Sequence, residues 1–302
     1  MDSDAVRRQS GNIKKAALFV VLTFVVSWAF IGLYLALGGK WAPPGASLVA
    51  LVYMFMPMVA ALIVQGAIYK QPIVGPLGIS FRLNRWWLAA WLIPPILMFA
   101  TIGASLLVPN VHYDPQATDL LRRLRDVLPP DQYGQAVERI RTLPIFWIML
   151  FGGMLAGITV NAVAGFGEEL GWRGLLQGEL GHLGFWRSSL LIGLIWGIWH
   201  APIILQGHNY PQHPQIGVGM MVIVAVLLAP LFGFVRLKAK SVVAAAVLHG
   251  TLNGVAGLPY MVLSGGNDLT IGLTGLAGII VLALANLVIF VYLRSHPVNH
   301  QP

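Results

Sequence analysis

Three short stretches of the sequence place ionisable or hydrogen-bonding side chains inside or beside long apolar runs. They are segment 168–173 (Glu-Glu-Leu-Gly-Trp-Arg), Trp196 with His200, and His249 with Asn253. A charged side chain at the bilayer centre costs at least ~2.5–3.5 kcal/mol on insertion scales, so such residues usually mark a functional site. These stretches are therefore the first candidates for chemistry.

The first stretch carries two adjacent carboxylates. Glu169 and Arg173 are four residues apart with the acid first, which is the favourable order for an ion pair on a helix. Glu168 is rotated by about 100° from Glu169 on a helix of 3.6 residues per turn. It therefore points elsewhere and is free for chemistry. The structural alternative is a helix that begins here, whose dipole stabilises both carboxylates.

His200 and His249 each share a helix face with a residue four positions away, Trp196 and Asn253 respectively. Either pair alone could simply join two membrane helices by a hydrogen bond. Together with Glu168, however, they supply a carboxylate, two imidazoles and a carboxamide. These groups can activate water and stabilise a tetrahedral oxyanion. We predict that they converge on one hydrolytic site.

Two other chemistries stay open at this stage. Glu168, His200 and His249 could hold zinc with a water as fourth ligand, although the chain lacks His-Glu-x-x-His. We favour glutamate chemistry without a metal or other cofactor and keep Zn²⁺ as the alternative. A serine protease is the nearest rival, because Ser47 and Ser105 each follow Gly-Ala. The sequence holds no cysteine, which excludes thiolate nucleophiles and cysteine zinc sites.

The whole chain has the composition of a membrane protein. Of its 302 residues, 57% are hydrophobic and 10% charged, with a mean hydropathy of +0.75, whereas soluble domains carry roughly 25% charged residues. Apolar runs of about 20 residues can span a bilayer as helices, and eight such runs predict an all-α polytopic bundle. The predicted spans are residues 16–38, 46–68, 86–108, 145–167, 188–207, 216–235, 241–263 and 270–293.

The basic residues predict how the bundle is oriented. The net charge of +8 comes from the ends of the spans, which favours contact with anionic lipid over nucleic acid. With the N-terminus inside, the cytoplasmic segments carry more Lys and Arg, as the positive-inside rule requires, so both termini are predicted to be cytoplasmic. The cytoplasmic set is Arg7, Arg8, Lys14, Lys15, Lys70, Arg82, Arg85, Arg173, Arg187, Arg236, Lys238, Lys240 and Arg294, and the opposite set is Lys40, Arg122, Arg123, Arg125, Arg139 and Arg141.

Two further segments bear on the topology. The uncharged run 16–39 is longer than the apolar part of a signal peptide, about 7–15 residues, so it is predicted to be a retained transmembrane helix. The long loop 109–144 contains leucines at helical spacing between 120 and 128. These leucines predict a helix that lies either at the membrane interface or in solvent.

The three stretches, in this order, resemble the motifs of the CPBP family, which includes the type II CAAX prenyl endopeptidases and bacterial Abi-type immunity proteins. The motifs are Glu168-Glu169-x-x-x-Arg173, Trp196-x-x-x-His200 and His249-x-x-x-Asn253. The similarity covers residues 145–262, which would form the core between an N-terminal region, 1–144, and a C-terminal helix and tail, 263–302. The family usually has Phe where this chain has Trp196, and we expect its aromatic packing role to persist.

The resemblance implies an intramembrane endopeptidase that acts on a membrane-associated peptide, such as a prenylated protein or a leader peptide. It also implies a helical bundle whose cavity opens toward the cytoplasm. The implied roles are water activation by Glu168 with His200, oxyanion stabilisation by His249 with Asn253, and support of the site by Glu169, Arg173 and Trp196. A non-catalytic scaffold or immunity protein of the same fold is the alternative, but every motif position is filled.

Overall fold

The computed structural model describes residues 11–43 and 45–296, and this part of the chain is largely helical, as predicted. Arg7 and Arg8, which belong to the predicted cytoplasmic set, lie outside the described residues. The α-helices are α1 Ile13–Ala36, α2 Gly45–Leu62, α3 Arg85–Ser105, α4 Thr118–Val127, α5 Pro130–Thr142, α6 Ile145–Gly157, α7 Val160–Glu169, α8 Gln177–Leu180, α9 Phe185–Trp199, α10 Ala201–Ile204, α11 Pro214–Ala239, α12 Val242–Val255, α13 Pro259–Val262 and α14 Leu276–Ser295. Wider π-type turns at Ile63–Ile68 and Leu170–Leu176 extend α2 and α7, and a 3-10 turn covers Gly181–Leu183.

Six helical segments of the described chain are long and apolar enough to cross a membrane. The count becomes seven if α5 and α6, which meet at a bend of 97°, form one span. The eight predicted spans roughly fit this number. The fourth predicted span is interrupted between α6 and α7, and the fifth is divided into α9 and α10.

Side-chain caps set the starts of three membrane helices. The side chains of Asn12 and Asn84 accept hydrogen bonds from backbone amides in the first turns of α1 and α3. Ser241 does the same for α12, where its Oγ accepts from the amide of Val243 at 3.1 Å. Each cap satisfies an amide that has no partner inside its own helix.

One face of the bundle gathers the start of α1 and the end of α14. Lys15 Nζ lies 2.7 Å from Glu179 Oε1 and 2.6 Å from Gln71 Oε1, and Val242 N donates to Gly78 O at 2.9 Å. Lys238 Nζ lies 5.0 Å from the ring of Tyr292 near the end of α14. We call this the terminal face; it comprises the start of α1, the end of α14 and the connections 69–84, 181–184 and 239–241.

The remaining connections meet at the opposite face. Gln212 N donates to Asp268 Oδ2 at 2.7 Å, and the rings of Trp41 and His208 are 5.6 Å apart. We call this the loop face; it comprises the connections 37–43, 106–144, 205–213 and 263–275. Successive connections thus alternate between two faces.

The long loop 106–144 is more ordered than the sequence predicted. The helix predicted between 120 and 128 is present as α4, and a second helix, α5, follows it. Two-residue strands also pair here in antiparallel fashion, β1 His112–Tyr113 with β2 Leu263–Ser264. The carboxylate of Asp119 accepts from the amide of Gly265 at 2.9 Å. The loop is therefore joined to connection 263–275.

Helix α12 lies within the bundle, packed against α3, α6, α7 and α11. Its approach to α6 is very close, because a Cβ on Gly153 would meet the backbone of Gly254, and one on Gly157 would meet Thr251. Small residues permit such backbone contact between membrane helices. This packing brings the polar residues of α7 and α12 together.

Candidate active site

Helix α7 ends with the two adjacent glutamates, and both are buried. Glu169 Oε1 lies 3.1 Å from Arg173 Nη1, so the predicted ion pair forms although the chain enters a π-type turn at Leu170. Such turns are frequent at functional sites. The pair and Glu168 are each at most 2% exposed. Ion pairs at this depth need further hydrogen bonds to offset the loss of hydration.

His249 reaches both glutamates from α12. Its Nδ1 lies 2.8 Å from Glu169 Oε1, and its Nε2 lies 3.8 Å from Glu168 Oε1. An ionised carboxylate can only accept a hydrogen bond, so Nδ1 carries the proton in this bond. Gly165 on α7 permits the approach, because a Cβ there would lie 3.0 Å from the Cβ of His249. One imidazole thus bridges the two carboxylates.

Glu168 has a second partner, the indole of Trp196. Trp196 Nε1 donates to Glu168 Oε2 at 2.7 Å. The Arg173 guanidinium lies 4.6 Å from the ring centroids of both Trp196 and Phe232, within cation–π range. Arg173 therefore positions the indole of Trp196 by stacking, and this indole positions Glu168 by its hydrogen bond. The predicted packing role of Trp196 omitted this hydrogen bond, which an indole can donate and a phenyl ring cannot.

His200 lies where α9 breaks. Pro202 has no N–H, and its ring would clash with the carbonyl four residues earlier, that of Ile198, so the regular helix ends at Trp199. The His200 ring turns back, with Nδ1 2.8 Å from Trp196 O. A carbonyl only accepts, so Nδ1 carries the hydrogen and neutral His200 presents the Nε2 lone pair.

Helices α1 and α2 support this break. The carbonyl of Trp199 accepts from Tyr53 Oη at 2.7 Å and from Trp28 Nε1 at 3.2 Å. The indole of Trp199 donates to Ser27 Oγ at 2.8 Å. These three hydrogen bonds fix the position of Trp199, the residue that precedes His200. The sequence reasoning missed them, because nothing in the local pattern of α1 or α2 marks a contact 146 to 172 residues away along the chain.

A cavity of about 530 Å³ joins the four residues predicted to be catalytic. Glu168, His200 and His249 are buried in its wall, whereas Asn253 is an exposed residue of that wall. In the described part of the chain Glu168 and His200 form no direct hydrogen bond. Trp196 links them instead, through its indole to one and its carbonyl to the other.

The mouth of the cavity lies on the loop face. Its exposed lining residues include Arg123, Asn209, Gln212 and Asn253, and no described residue of the terminal-face connections lines it. The cavity therefore opens away from the terminal face. Helix α1 begins and helix α14 ends at that other face.

The zinc alternative can be tested on the donor groups. Within residues 11–43 and 45–296, no group of three His, Asp or Glu side chains is placed to hold a metal ion. Glu168, His200 and His249 are therefore not arranged as a three-ligand set. These residues do not fit the catalytic zinc pattern.

The two serines of the rival mechanism lie elsewhere. Ser105 is buried, and its Oγ donates to Thr101 O at 2.7 Å. Ser47 is exposed in the first turns of α2. Neither residue lines the cavity that holds the imidazoles.

Comparison with known proteins concerns this same region. Residues 137–255 match the family model described as "Type II CAAX prenyl endopeptidase Rce1-like". This central segment is similar to that family. The resemblance predicted from the three motifs is thus confirmed for the segment that contains them.

A curated relative supports the match. CAAX prenyl protease 2 of Methanococcus maripaludis is 29% identical over 92 residues, which are 28% of this chain and 34% of the relative. The chain thus spans about a third of the length of the curated relative it matches.

Proposed function

We propose that this protein is an intramembrane endopeptidase that hydrolyses a peptide bond of a membrane-associated substrate. The observation that carries the proposal is the convergence of Glu168, His200, His249 and Asn253 on one cavity. The Rce1-like match of residues 137–255 covers all four, and the family and the relative are both named as proteases.

Glu168 and His200 activate water in this mechanism. A water that lies between them transfers one proton to the Glu168 carboxylate as its oxygen attacks the substrate carbonyl carbon. Its other hydrogen stays on that oxygen and forms a hydrogen bond to His200 Nε2. Trp196 holds Oε2 of Glu168, so Oε1 is the oxygen that takes the proton. Glu168 then passes that proton to the leaving amine, which restores the carboxylate. General acid–base groups of this kind contribute about 10²–10⁴-fold to a rate.

His249 and Asn253 stabilise the oxyanion. With Nδ1–H bound to Glu169, an imidazolium form of His249 presents Nε2–H to the cavity, balanced by two carboxylates. The Asn253 carboxamide supplies a second donor. Removal of one such donor costs about 10²–10³-fold in enzymes that use an oxyanion hole. Glu169 and Arg173 orient these groups from behind the cavity wall.

A neighbouring groove suits an apolar substrate anchor. It has a volume of about 670 Å³ and shares Gly257 with the catalytic cavity. Its apolar lining includes Leu120, Leu128, Ile140, Met149, Leu258 and Met261. A prenylated peptide could place its lipid there, and a leader peptide could place apolar side chains. Cleavage of matched peptides with and without a prenyl group would separate these substrates.

We also place both termini in the cytoplasm, on the basis of the basic residues of the terminal face. The chain is then a multi-pass membrane protein that contacts anionic lipid through that face.

The test of the proposed activity is comparative peptidomics of membranes that contain the intact protein or its Glu168→Ala variant. We expect specific cleavage products that disappear in the variant. Glu138→Ala, which removes an exposed carboxylate of α5, is the matched control and should retain them. Identical product sets from the protein and Glu168→Ala would support the non-catalytic scaffold instead.

A further inference from the structure

The cavity mouth lies on the face of the bundle opposite to most of the basic residues of the described chain. Three loop-face connections contribute polar residues to the lining of the cavity: 106–144 gives Arg123, 205–213 gives Asn209 and Gln212, and 263–275 gives Asp268. Glu168, His200 and His249 lie deeper and are buried. A peptide therefore enters from the loop face.

The faces differ in charge. The terminal face carries ten basic residues of the described chain and one carboxylate, and the loop face carries six basic residues and six carboxylates. The terminal-face residues are Lys14, Lys15, Lys70, Arg82, Arg85, Arg187, Arg236, Lys238, Lys240, Arg294 and Glu179; those of the loop face are Lys40, Arg122, Arg123, Arg125, Arg139, Arg141, Asp114, Asp119, Asp126, Asp131, Glu138 and Asp268.

This asymmetry decides the orientation. Lys and Arg in short connections near the ends of transmembrane helices are retained on the cytoplasmic side. Connections 205–213 and 263–275, which frame the mouth, contain no Lys or Arg, whereas the three-residue connection 239–241 contains Lys240 and directly follows Arg236 and Lys238. The terminal face is thus the cytoplasmic one.

We infer that the catalytic cavity opens to the extracytoplasmic side of the membrane. The substrate class follows, and this part rests on the proposed peptidase function. The scissile bond lies in a peptide segment on the outer surface, such as an exported peptide or the outward-facing tail of a membrane protein. A prenylated protein held on the cytosolic leaflet would not reach the mouth.

The absence of cysteine from the sequence makes a clean test possible. Single cysteines are introduced as Gln116→Cys on the loop face, Pro211→Cys at the mouth and Val74→Cys on the terminal face; all three positions are exposed and uncharged. Intact cells are treated with a small sulfonated maleimide that does not cross membranes, and the labelling is compared with that of permeabilised cells. The cysteine-free parent gives the background.

We expect full labelling of Gln116→Cys and Pro211→Cys in intact cells, and labelling of Val74→Cys only after permeabilisation. Labelling of Val74→Cys in intact cells, alone or with the other two, would overturn the inference. Because the labelling needs no activity, it separates the orientation from the peptidase proposal. In a second arm, the products that depend on Glu168 are traced to the medium or the cytosol. Products that arise only in the cytosol would also overturn the inferred substrate side.

Discussion

Glu169 and His249 are joined by a hydrogen bond of 2.8 Å between a carboxylate oxygen and Nδ1. The sequence predicted only Arg173 as a partner of Glu169. In the structure the same carboxylate oxygen, Oε1, accepts hydrogen bonds from both Arg173 and His249. Glu169 thus connects the ion pair of the α7 segment to the imidazole of α12. Glu168 contacts the same imidazole from the cavity side. Removal of Glu169 and removal of Glu168 should therefore have different effects on the stability of the protein and on its cleavage rate.

Glu169→Ala should destabilise the protein much more than Glu168→Gln does. Loss of Glu169 leaves the buried Arg173 without its ion-pair partner, and breaking a buried pair costs about 3–5 kcal/mol. Glu168→Gln keeps an oxygen that accepts from Trp196, so the fold should hold while cleavage falls about 10²–10⁴-fold. Thermal unfolding in detergent and peptide cleavage measure the two effects. Equal stability losses in both variants would contradict this division.

Trp196→Phe should lower kcat about tenfold to a hundredfold and leave KM nearly unchanged. The phenyl ring preserves the stack with Arg173 but removes the N–H that holds Glu168. Hydrogen bonds to charged groups contribute about 1.5–3 kcal/mol, and each 1.36 kcal/mol is a factor of ten in rate. A shift in the pH profile of kcat would show that the effect passes through Glu168. Trp147→Phe, at an exposed aromatic outside the cavity, is the control and should keep wild-type kinetics.

The candidate site residues could be selected from the sequence because their signals are local. The pairs Glu169 with Arg173 and His249 with Asn253 lie four positions apart, a spacing that places them on one helix face. The apolar runs likewise follow from composition alone. The helix break at His200 could also have been predicted, since Pro202 follows two residues later. The predicted span 188–207 instead continued across it.

The remaining features depend on contacts between distant segments. The bond from Trp196 to Glu168, and the bonds of Tyr53 and Trp28 to Trp199, join helices whose relative rotation no local pattern fixes. The direction of the cavity mouth depends on which loops meet above His249. Strands β1 and β2 were missed because each is only two residues long and pairs with a distant segment of the chain.

Ser47→Ala and Ser105→Ala should both retain wild-type cleavage. Ser105 Oγ is bound to the carbonyl of Thr101 in its own helix, and Ser47 lies outside the cavity wall. The cleavage rates of the single and double variants, at matched expression, check this. Loss of activity in a variant that remains folded would restore the serine mechanism.

Acid should destabilise the protein partly through His208. Burial lowers the pKa of this imidazole to about 4, whereas an unfolded histidine titrates near a pKa of about 6.5. Between these values the unfolded chain binds more protons, so stability falls as the pH drops from about 6.5 to 4. His208→Gln removes that contribution. Its Tm should therefore fall less than that of the wild type between pH 7 and pH 4.5; an equal or larger fall would contradict the assignment.

Cleavage should persist in the presence of a strong zinc chelator. Catalytic zinc sites commonly use three protein ligands and an open position, but the described His, Asp and Glu side chains form no such group. The assay compares the cleavage rate before chelation, after it and after zinc is restored. A complete loss that zinc reverses would require these side chains to rearrange around a metal and would replace the glutamate mechanism.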